Sequence, residues 1–400
     1  MNEDELKTMR NSFNTVKNRS SPFLKEPKTI ELQEKVKNIK KDAIANGEKL
    51  MKEAINSLKR NDIDVFIASD DLDAQEIILD LVKGEGSKYI AKSKSNTLGE
   101  IKISKFLKKE GFEIIETDLG DRILQLKKDD NKPVHPTGPA SHLNVNQIRD
   151  IVNDAMDANL KNDPKEIMEF VKKDVLGKLE DCQIGISGAN SIASQEGSIV
   201  LIHNEGNISL IASKKLHIVV AGIDKFVPTI EDAISIGKLE IIYATGSPVT
   251  SYINIISGPS KTADIEKKLL KNMYGAEKVV VILLDNGRSE AIDECLMCIG
   301  CGNCIVSCPV YNAIGNKFGF NNYLGGRGVA MSNFIEDEKV SYDAGLFKCT
   351  LCGLCSINCP VSIPTNEIIE KLRKSSKDKG FSPDVHKKIK DNIEKNNSPY

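Results

Sequence analysis

Eight of the ten cysteines lie near the C-terminus, in two runs of identical spacing. Each run reads C-x2-C-x2-C-x3-C-P, and the members are Cys298, Cys301, Cys304 and Cys308, then Cys349, Cys352, Cys355 and Cys359. Two-residue gaps let three thiolates of one tight loop reach three corners of an iron–sulfur cube, and the fourth cysteine of such a run binds the other cube. The proline after each run fixes the backbone turn that follows the last ligand.

The spacing therefore predicts two [4Fe–4S] clusters that exchange their fourth ligands. The first set is Cys298, Cys301, Cys304 and Cys359, and the second set is Cys349, Cys352, Cys355 and Cys308. This exchange would join the two halves of the domain through metal. A tetrahedral zinc site would need two separated pairs of ligands, and a disulfide framework belongs to short secreted chains.

Two cysteines lie outside these runs. Cys295 precedes the first run by three residues and could form a competing quartet with Cys298, Cys301 and Cys304. We rank that quartet second, because the spacing of the second run is reproduced from Cys298 onward. Cys182 lies in an apolar stretch, where a small buried side chain is expected rather than a ligand.

Composition limits the classes of function. A chain of 400 residues predicts two to three domains, and a net charge of −2 with a pI near 6.3 argues against nucleic acid as the main partner. No apolar run approaches the ~20 residues that a membrane span needs. The segment 1–10 is too polar for a signal peptide. Cysteines that must stay reduced then predict a cytoplasmic protein.

The expected organisation has four parts. A polar lead-in and a helical arm occupy 1–60, an α/β domain 61–289, a helical cluster domain 290–375 and a charged tail without defined structure 376–400. Within the arm, apolar residues recur at steps of three and four from Ile30 to Leu58, which indicates an amphipathic helix broken near Gly47.

Short apolar strands alternate with helices in the first half of the α/β domain, which is typical of a parallel sheet. The expected strands are Val65–Ala68, Tyr89–Ala91, Phe112–Glu116 and Ile123–Leu126, and the expected helices are Leu72–Lys83 and Thr97–Lys109. Polar clusters follow two strands, at Lys92–Ser95 and Glu116–Asp118. Ligands of open α/β sheets bind outside the carboxyl ends of strands, so a pocket is expected there, although caps and turns explain any one residue equally well.

The second half of the domain contains further strand and helix patterns. The expected helices are 145–160, 164–179 and Thr229–Ile236, and the expected strands are Ile199–His203, Ile208–Ala212, His217–Ile223, Ile241–Ala244 and Lys278–Leu284. Asn204–Asn207 indicates a hairpin between the first two of these strands. No Walker loop, GxGxxG, GxSxG or HExxH motif is present in this half.

The ordered string of motifs resembles the LUD-domain iron–sulfur proteins of lactate utilisation, the LutB type. The motifs are Lys92–Ser95, Glu116–Gly120, Gly138–Ala140, Gly188–Asn190, Asn204–Asn207, Pro228–Asp232 and Leu284–Ser289, followed by the twin cysteine runs. The resemblance covers roughly 60–365 and is carried by the order of the motifs more than by any one of them. The chain departs from the family pattern in its additional Cys295 and in a shorter segment after Cys359.

This resemblance implies a fold and a biological setting. It implies an α/β LUD domain of the sugar-isomerase and CoA-transferase type, followed by an all-α ferredoxin domain like those of succinate dehydrogenase and heterodisulfide reductase subunits. Family members act with partner proteins to oxidise L-lactate to pyruvate in the cytoplasm. The expected partners are therefore other subunits of a lactate-utilisation-like or heterodisulfide-reductase-like complex, with a small organic acid as substrate.

Oxidation of a 2-hydroxy acid needs a cation for the carboxylate and a base near the hydroxyl group. The expected residues are Lys92 or Lys94 for the cation, Glu116, His142 or Glu205 for the base, and Gly188, Asn190 and Asn204 for the rest of the substrate pocket. An exposed turn is the plain interpretation of Glu205, and a structural role is the plain interpretation of His135 and His142.

Three functions remain open from the sequence. The first is an electron-transfer subunit of an oxidoreductase complex, in which the two clusters relay single electrons. The second is a ferredoxin-like adapter whose α/β domain only docks partner proteins. The third, an isomerase or CoA-transferase with purely structural clusters, ranks lowest, since two electronically linked clusters are a poor choice for scaffolding alone.

Overall fold

A six-stranded parallel sheet forms the centre of the α/β domain in a computed structural model that describes residues 1–127 and 132–399. The strands of the described residues are β1 Ile63–Ala68, β2 Tyr89–Lys92, β3 Glu113–Glu116, β4 Ile184–Ser187, β5 Ser191–Ala193, β6 Ser198–His203, β7 Leu216–Gly222, β8 Phe226–Val227, β9 Tyr252–Ile256, β10 Lys261–Thr262, β11 Leu270–Lys271, β12 Lys278–Leu284, β13 Gly319–Phe320 and β14 Tyr323–Leu324.

Helices cover both faces of this sheet and build most of the C-terminal quarter. The helices of the described residues are α1 Glu3–Ser20, α2 Pro27–Ala45, α3 Gly47–Arg60, α4 Asp71–Glu85, α5 Asn96–Glu100, α6 Ile103–Lys109, α7 Leu119–Leu126, α8 Val145–Met156, α9 Pro164–Glu180, α10 Asn207–Ala212, α11 Ile230–Thr245, α12 Asp293–Leu296, α13 Asn303–Val306, α14 Pro309–Ile314, α15 Gly325–Ile335, α16 Glu338–Ala344, α17 Leu354–Ile357, α18 Thr365–Asp378 and α19 Asp384–Asn396. Short 3-10 turns lie at Phe23–Lys25, Ile223–Lys225 and Gly315–Lys317. No helix of the described residues is long and apolar enough to span a membrane.

The large sheet has the strand order β1-β12-β7-β4-β2-β3, and all neighbours are parallel. Its central strand β7 is buried along its whole length, and alternate residues pack to opposite faces. Ile218 and Val220 contact the core shared with α4, α5 and α6, whereas Val219 and Ala221 contact the core shared with α3. The expected α/β class with a parallel sheet is therefore confirmed.

A second sheet of four strands, ordered β8-β5-β6-β9, packs beside the large one. Its strands β6 and β9 are antiparallel, and β5 pairs with β8 in parallel. The amphipathic arm is also confirmed, since α2 ends at Ala45 and α3 begins at Gly47, where the break was expected.

The N-terminal segment is a helix rather than a loose lead-in. Asn2 caps α1 by accepting a hydrogen bond from the N–H of Glu5. Leu6, Met9 and Phe13 lie on one face of α1 and are buried in the core that contains α11 and the cysteine-bearing helices. These three apolar residues recur at steps of three and four within a mostly polar segment. The helix is stabilised because this apolar face packs against the core.

Four further expectations differ from the structure. Residues 123–126 belong to α7, which begins where the Asp118 side chain accepts from the N–H of Asp121. Residues 208–212 form α10 rather than the second strand of a hairpin, and the turn starts at Gly206 with φ +83°. Residues 241–244 continue α11 instead of forming a strand. The tail 376–400 has defined structure, since it contains the end of α18 and the whole of α19.

Candidate functional site

The eight cysteines of the two runs surround two adjacent cavities among the short helices of the C-terminal domain. The first cysteine cavity is lined by Cys298, Cys301, Cys304, Cys355 and Cys359. The second cysteine cavity is lined by Cys308, Cys349, Cys352 and Cys355. Each lining contains the four cysteines that the spacing predicts as one ligand set, and Cys355 lines both cavities, so the exchange of fourth ligands stays a prediction.

Backbone groups of the loops point at the sulfur atoms. The N–H of Gly300 donates to Cys298 Sγ and the N–H of Leu351 donates to Cys349 Sγ, each over 3.4 Å. At the start of α14, Cys308 Sγ accepts from the N–H of Tyr311, also over 3.4 Å. Hydrogen bonds of this kind favour the thiolate form that a metal ligand requires.

The cysteine thiols that line the two cavities suit a positively charged iron–sulfur core. Burial, followed by the neighbouring thiols, raises the pKa of Cys304 well above its usual value, and burial does the same for Cys301. Thiolates can be held this close together when a cation compensates their charge, and bound iron provides that charge. No three His, Cys, Asp or Glu side chains of the described residues are grouped as a single metal ion would need.

The two remaining cysteines line neither cavity. Cys295 is fully buried, its carbonyl oxygen accepts from Arg327, and burial raises the pKa of its thiol to about 11. Cys182 is also buried, donates to the carbonyl of Lys178 over 3.4 Å, and has a pKa that burial raises to about 11. Both environments favour a neutral thiol that packs as a small apolar side chain.

A third cavity of about 250 Å³ lies at the carboxyl ends of β2 and β4 and beside β6 and α11. We call it the strand-end cavity. Its polar lining comprises Ser93, Lys94, Ser95, Asn96, Thr97, Asp118, Thr137, Asn190, His203, Asn204, Glu205, Asn207, Lys225, Glu240 and Thr245. Ile299 and Gly300, which lie between the first two cysteines of the first run, also line it. The strand-end cavity therefore borders the loop that forms the first cysteine cavity.

Five of the eight expected site residues meet in the strand-end cavity, and they are Lys94, Gly188, Asn190, Asn204 and Glu205. Lys94 Nζ donates to Asp118 Oδ2 over 2.6 Å and to the carbonyl of Thr137 over 3.1 Å. Glu205 Oε2 accepts from the N–H of Leu119 over 3.1 Å. Burial, and then the charge of Asp118, raises the pKa of the Glu205 carboxyl.

The other three expected residues lie outside this lining. Lys92 Nζ and Glu116 Oε2 form a buried ion pair at 2.7 Å, and Ser104 donates to the other oxygen of Glu116 over 3.0 Å. The charges of Lys92 and Glu116 therefore pair with each other, and neither side chain lines the strand-end cavity. His142 is buried and interacts with Glu5 of α1.

Glu240 is the main functional candidate that the sequence interpretation missed. Its carboxyl is buried, and its Oε2 accepts from Asn190 Nδ2 over 2.9 Å. Burial raises the pKa of this carboxyl to about 7. A Cβ added at Gly300 would lie 3.5 Å from Glu240 Oε1, so the carboxyl lies close to the first cysteine loop. A single acid inside the apolar stretch 239–244 is the signal that could have found it.

Lys225 was also missed, because it follows a strand without any motif. Its Nζ lies 3.1 Å from Asp224 Oδ2, and its side chain is 22% exposed. An ammonium group has three donors, so Lys225 retains donors for a ligand in the strand-end cavity. Together with Lys94 it gives this cavity two cations beside the acids Glu205 and Glu240.

Asn190 and Gly188 shape the cavity wall. Asn190 Oδ1 accepts from the N–H of Ile202 over 3.0 Å, so its amide is held in the orientation that donates to Glu240. A Cβ at Gly188 would lie 2.4 Å from Ser95 Oγ, and Ser95 caps α5 by accepting from the N–H of Leu98. Glycine is therefore needed where this loop approaches the start of α5.

His135 links the cavity wall to the first cysteine run. Its Nδ1 lies 2.9 Å from Thr137 Oγ1, and burial lowers the pKa of the ring to about 4, so the imidazole is neutral. A Cβ added at Gly302 would lie 2.3 Å from His135 Nε2. The ring therefore packs directly on the backbone that follows Cys301.

A buried charge network also joins the two domains. Arg288 donates to both oxygens of Glu100, over 2.9 and 2.8 Å, and to Asp224 over 2.8 Å. Tyr323 of β14 donates to Glu100 over 2.5 Å. Because every charge here has a partner, the network is compatible with burial and holds the cluster domain against the sheet.

Comparison with known proteins identifies both parts of the chain. Residues 51–284 match the model of the LUD domain, and residues 294–363 match the model of the 4Fe-4S dicluster domain. "Lactate utilization protein B" of Bacillus cytotoxicus is 32% identical over 348 residues, which is 86% of this chain and 71% of that protein. "Lactate utilization protein B 2" of Bacillus mycoides is 33% identical over 314 residues, which is 77% of this chain and 64% of that protein. No solved structure matches the chain.

Proposed function

The chain belongs to the LUD-domain family and carries two [4Fe–4S] clusters in a dicluster domain, and from this premise we propose that it is the iron–sulfur electron-transfer subunit of a cytoplasmic oxidoreductase complex. The reaction of this complex is the oxidation of L-lactate or a related 2-hydroxy acid. The relatives named lactate utilization protein B support the substrate class, and the chain aligns with about two thirds of their length.

One observation carries the proposal, which is that Ile299, in the loop between Cys298 and Cys301, lines both the strand-end cavity and the first cysteine cavity. A small organic acid bound in the strand-end cavity would lie next to an electron acceptor. With the fourth ligands exchanged as we propose, the second cluster would lie next to the first and receive its electrons. Its ligand Cys352 is exposed, which opens a route for electrons to a partner protein.

The proposed ligands follow the lining of the two cysteine cavities. The first cluster is bound by Cys298, Cys301, Cys304 and Cys359, and the second by Cys349, Cys352, Cys355 and Cys308. When bound, each cluster accepts and passes on one electron. Conversion of a 2-hydroxy acid to a 2-oxo acid releases two electrons and two protons, so two one-electron centres match the number of electrons.

Residues of the strand-end cavity bind the acid and take up a proton. Lys225 and Lys94 bind the carboxylate, because both are cations with side chains in the lining. Glu205 and Glu240 are the candidate bases, since burial raises the pKa of each carboxyl. Partner subunits complete the oxidation.

Calorimetric titration of the anaerobic holoprotein with L-lactate and pyruvate tests this proposal. We expect binding to the wild type and at least tenfold weaker binding to Lys225→Met. Lys88→Met is the matched control, because Lys88 is 60% exposed and pairs with Glu113 at the opposite end of the strands. If no 2-hydroxy or 2-oxo acid binds to protein that contains its full iron, the α/β domain serves to dock partners instead.

A further inference from the structure

Arg327 occupies a distinctive position beside the first cysteine cavity. It lies in the first turn of α15, lines that cavity and interacts electrostatically with Cys298. Its Nη2 donates to the carbonyl of Cys295 over 2.9 Å, and its guanidinium group lies 5.4 Å from the centre of the Tyr323 ring. These two contacts fix the guanidinium plane at the cavity wall.

One N–H of this guanidinium is left without a partner. Arg327 Nε is buried and forms no hydrogen bond with the described residues. A buried charged donor without an acceptor is unfavourable, and such groups in native proteins usually have a ligand, an ion or a water as partner. The group that belongs in the adjoining cavity is an iron–sulfur cluster, whose sulfur atoms accept hydrogen bonds.

We propose that Arg327 donates its Nε–H to the first cluster and thereby raises the midpoint potential of that cluster. Reduction adds one negative charge to the cluster, and a cation held nearby in a site of low dielectric constant stabilises the reduced form. This inference rests on the ligand set proposed for the first cluster, but it does not depend on lactate as the substrate.

The second cluster has no equivalent among the described residues that line its cavity. The nearest counterpart is Arg373, which donates from Nε to the carbonyl of Leu346 over 3.0 Å and from Nη2 to the carbonyl of Cys349 over 2.5 Å. Its Nε and Nη2 therefore donate to the backbone, and Arg373 does not line the second cysteine cavity although it interacts electrostatically with Cys349. The effect of Arg327 should consequently be confined to the cluster that borders the strand-end cavity, where a 2-hydroxy acid needs a sufficiently oxidising acceptor.

Redox titration of the holoprotein, followed by EPR, tests the inference in Arg327→Gln and Arg327→Lys. The two midpoints are assigned with Cys352→Ser, which changes a ligand of the second set alone. We expect Arg327→Gln to lower the first midpoint and leave the second unchanged, and Arg327→Lys to show a smaller decrease. Lys348→Gln, which removes a charge next to the second run, is the matched control and should leave the first midpoint unchanged.

An unchanged first midpoint in Arg327→Gln with about eight irons per chain overturns the role of Arg327 while the ligand assignment stands. If Arg327→Gln fails to retain iron, the hydrogen bond from Arg327 is tested in the wild-type protein instead. Pulsed EPR of reduced holoprotein labelled with ¹⁵N-arginine should then show a nitrogen coupling to the first cluster. Absence of any arginine coupling overturns the inference. Wild-type protein with four irons or fewer would instead contradict the two-cluster assignment itself.

Discussion

Gly302 and Gly353 occupy equivalent positions in the two cysteine runs and share a φ of +73°, yet their surroundings differ. A Cβ at Gly302 would lie 2.3 Å from His135 Nε2, whereas nothing lies within 4 Å of a Cβ at Gly353. Gly302 is therefore packed tightly on the α/β domain, whereas the Cβ position of Gly353 faces open space.

Substitution of these two glycines by alanine should give unequal losses of stability. Each change forces a residue with a Cβ into the left-handed region, at about 1 kcal/mol. Gly302→Ala must also displace the buried His135 ring, which adds roughly 1–3 kcal/mol. Denaturant unfolding of the two holoproteins under anaerobic conditions measures the difference. Equal midpoints would show that the His135 contact has no energetic weight.

Exchange of the fourth ligands predicts that a cysteine of one run controls the cluster of the other. Cys359→Ser should weaken the cluster held by the first run, and Cys308→Ser the cluster held by the second. Cys295→Ser is the control and should keep about eight irons, because Cys295 lines neither cavity. Iron and sulfide analysis with EPR distinguishes these cases. A loss of iron in Cys295→Ser equal to that in Cys359→Ser would favour the competing quartet.

Binding of a carboxylate in the strand-end cavity should weaken as the pH rises through about 7. Burial raises the pKa of Glu240 to about 7, against the opposing influence of Lys225 and Lys94. Below that pH the carboxyl is protonated and neutral, while above it the ligand meets a second negative charge. The affinity for pyruvate should fall several-fold to about tenfold between about pH 6 and pH 8.

Glu240→Gln should make this pH profile flat, because the amide carries no charge at either pH. Glu231→Gln is the control, since Glu231 is exposed near the start of the same helix and should keep the wild-type slope. Titration calorimetry at both pH values provides the measurement. The assignment of Glu240 to the cavity is wrong if Glu240→Gln retains the full slope.

Two ion pairs of unequal burial should contribute very different stabilities. Glu100→Gln breaks the buried contact with Arg288, whose side chains are 2% and 3% exposed, and should cost about 3 kcal/mol. Glu336→Gln removes the partner of Lys102, a contact of 3.3 Å between side chains that are 32% and 44% exposed, and should cost less than about 1 kcal/mol. Unfolding midpoints of both variants check the ranking, and similar losses would contradict it.

The two [4Fe–4S] clusters and the parallel sheet were accessible from local pattern alone. Sulfur spacing restricts which metal centre can form, and buried strands such as β12 show unbroken runs of branched apolar residues. The polar residues after β2 also indicated the correct end of the sheet, because Lys94 and Ser95 line the strand-end cavity. Short sequence patterns were sufficient where the structure of a segment depends mainly on its own residues.

Elements that depend on distant partners were not accessible in this way. Ile241, Ile242 and Tyr243 favour strands by propensity, but the helix α11 is buried on nearly all sides between α1, α2 and the smaller sheet. With that segment assigned to a strand, Glu240 had no predicted place in the site. His142 was expected in the substrate pocket for a similar reason. Its neighbour Glu5 belongs to α1, a segment that was expected to be loose, so this contact could not be predicted.

The helix α1 has a consequence for how the protein is made. Arg10 donates to the carbonyl of Asn312, a residue 302 positions later in the chain. During synthesis, α1 therefore leaves the ribosome long before its docking surface has been made. Its apolar face has no packing partner until then. Docking of α1 and delivery of iron then become linked events, because the segment 290–375 supplies both the cysteine ligands and the docking surface of α1.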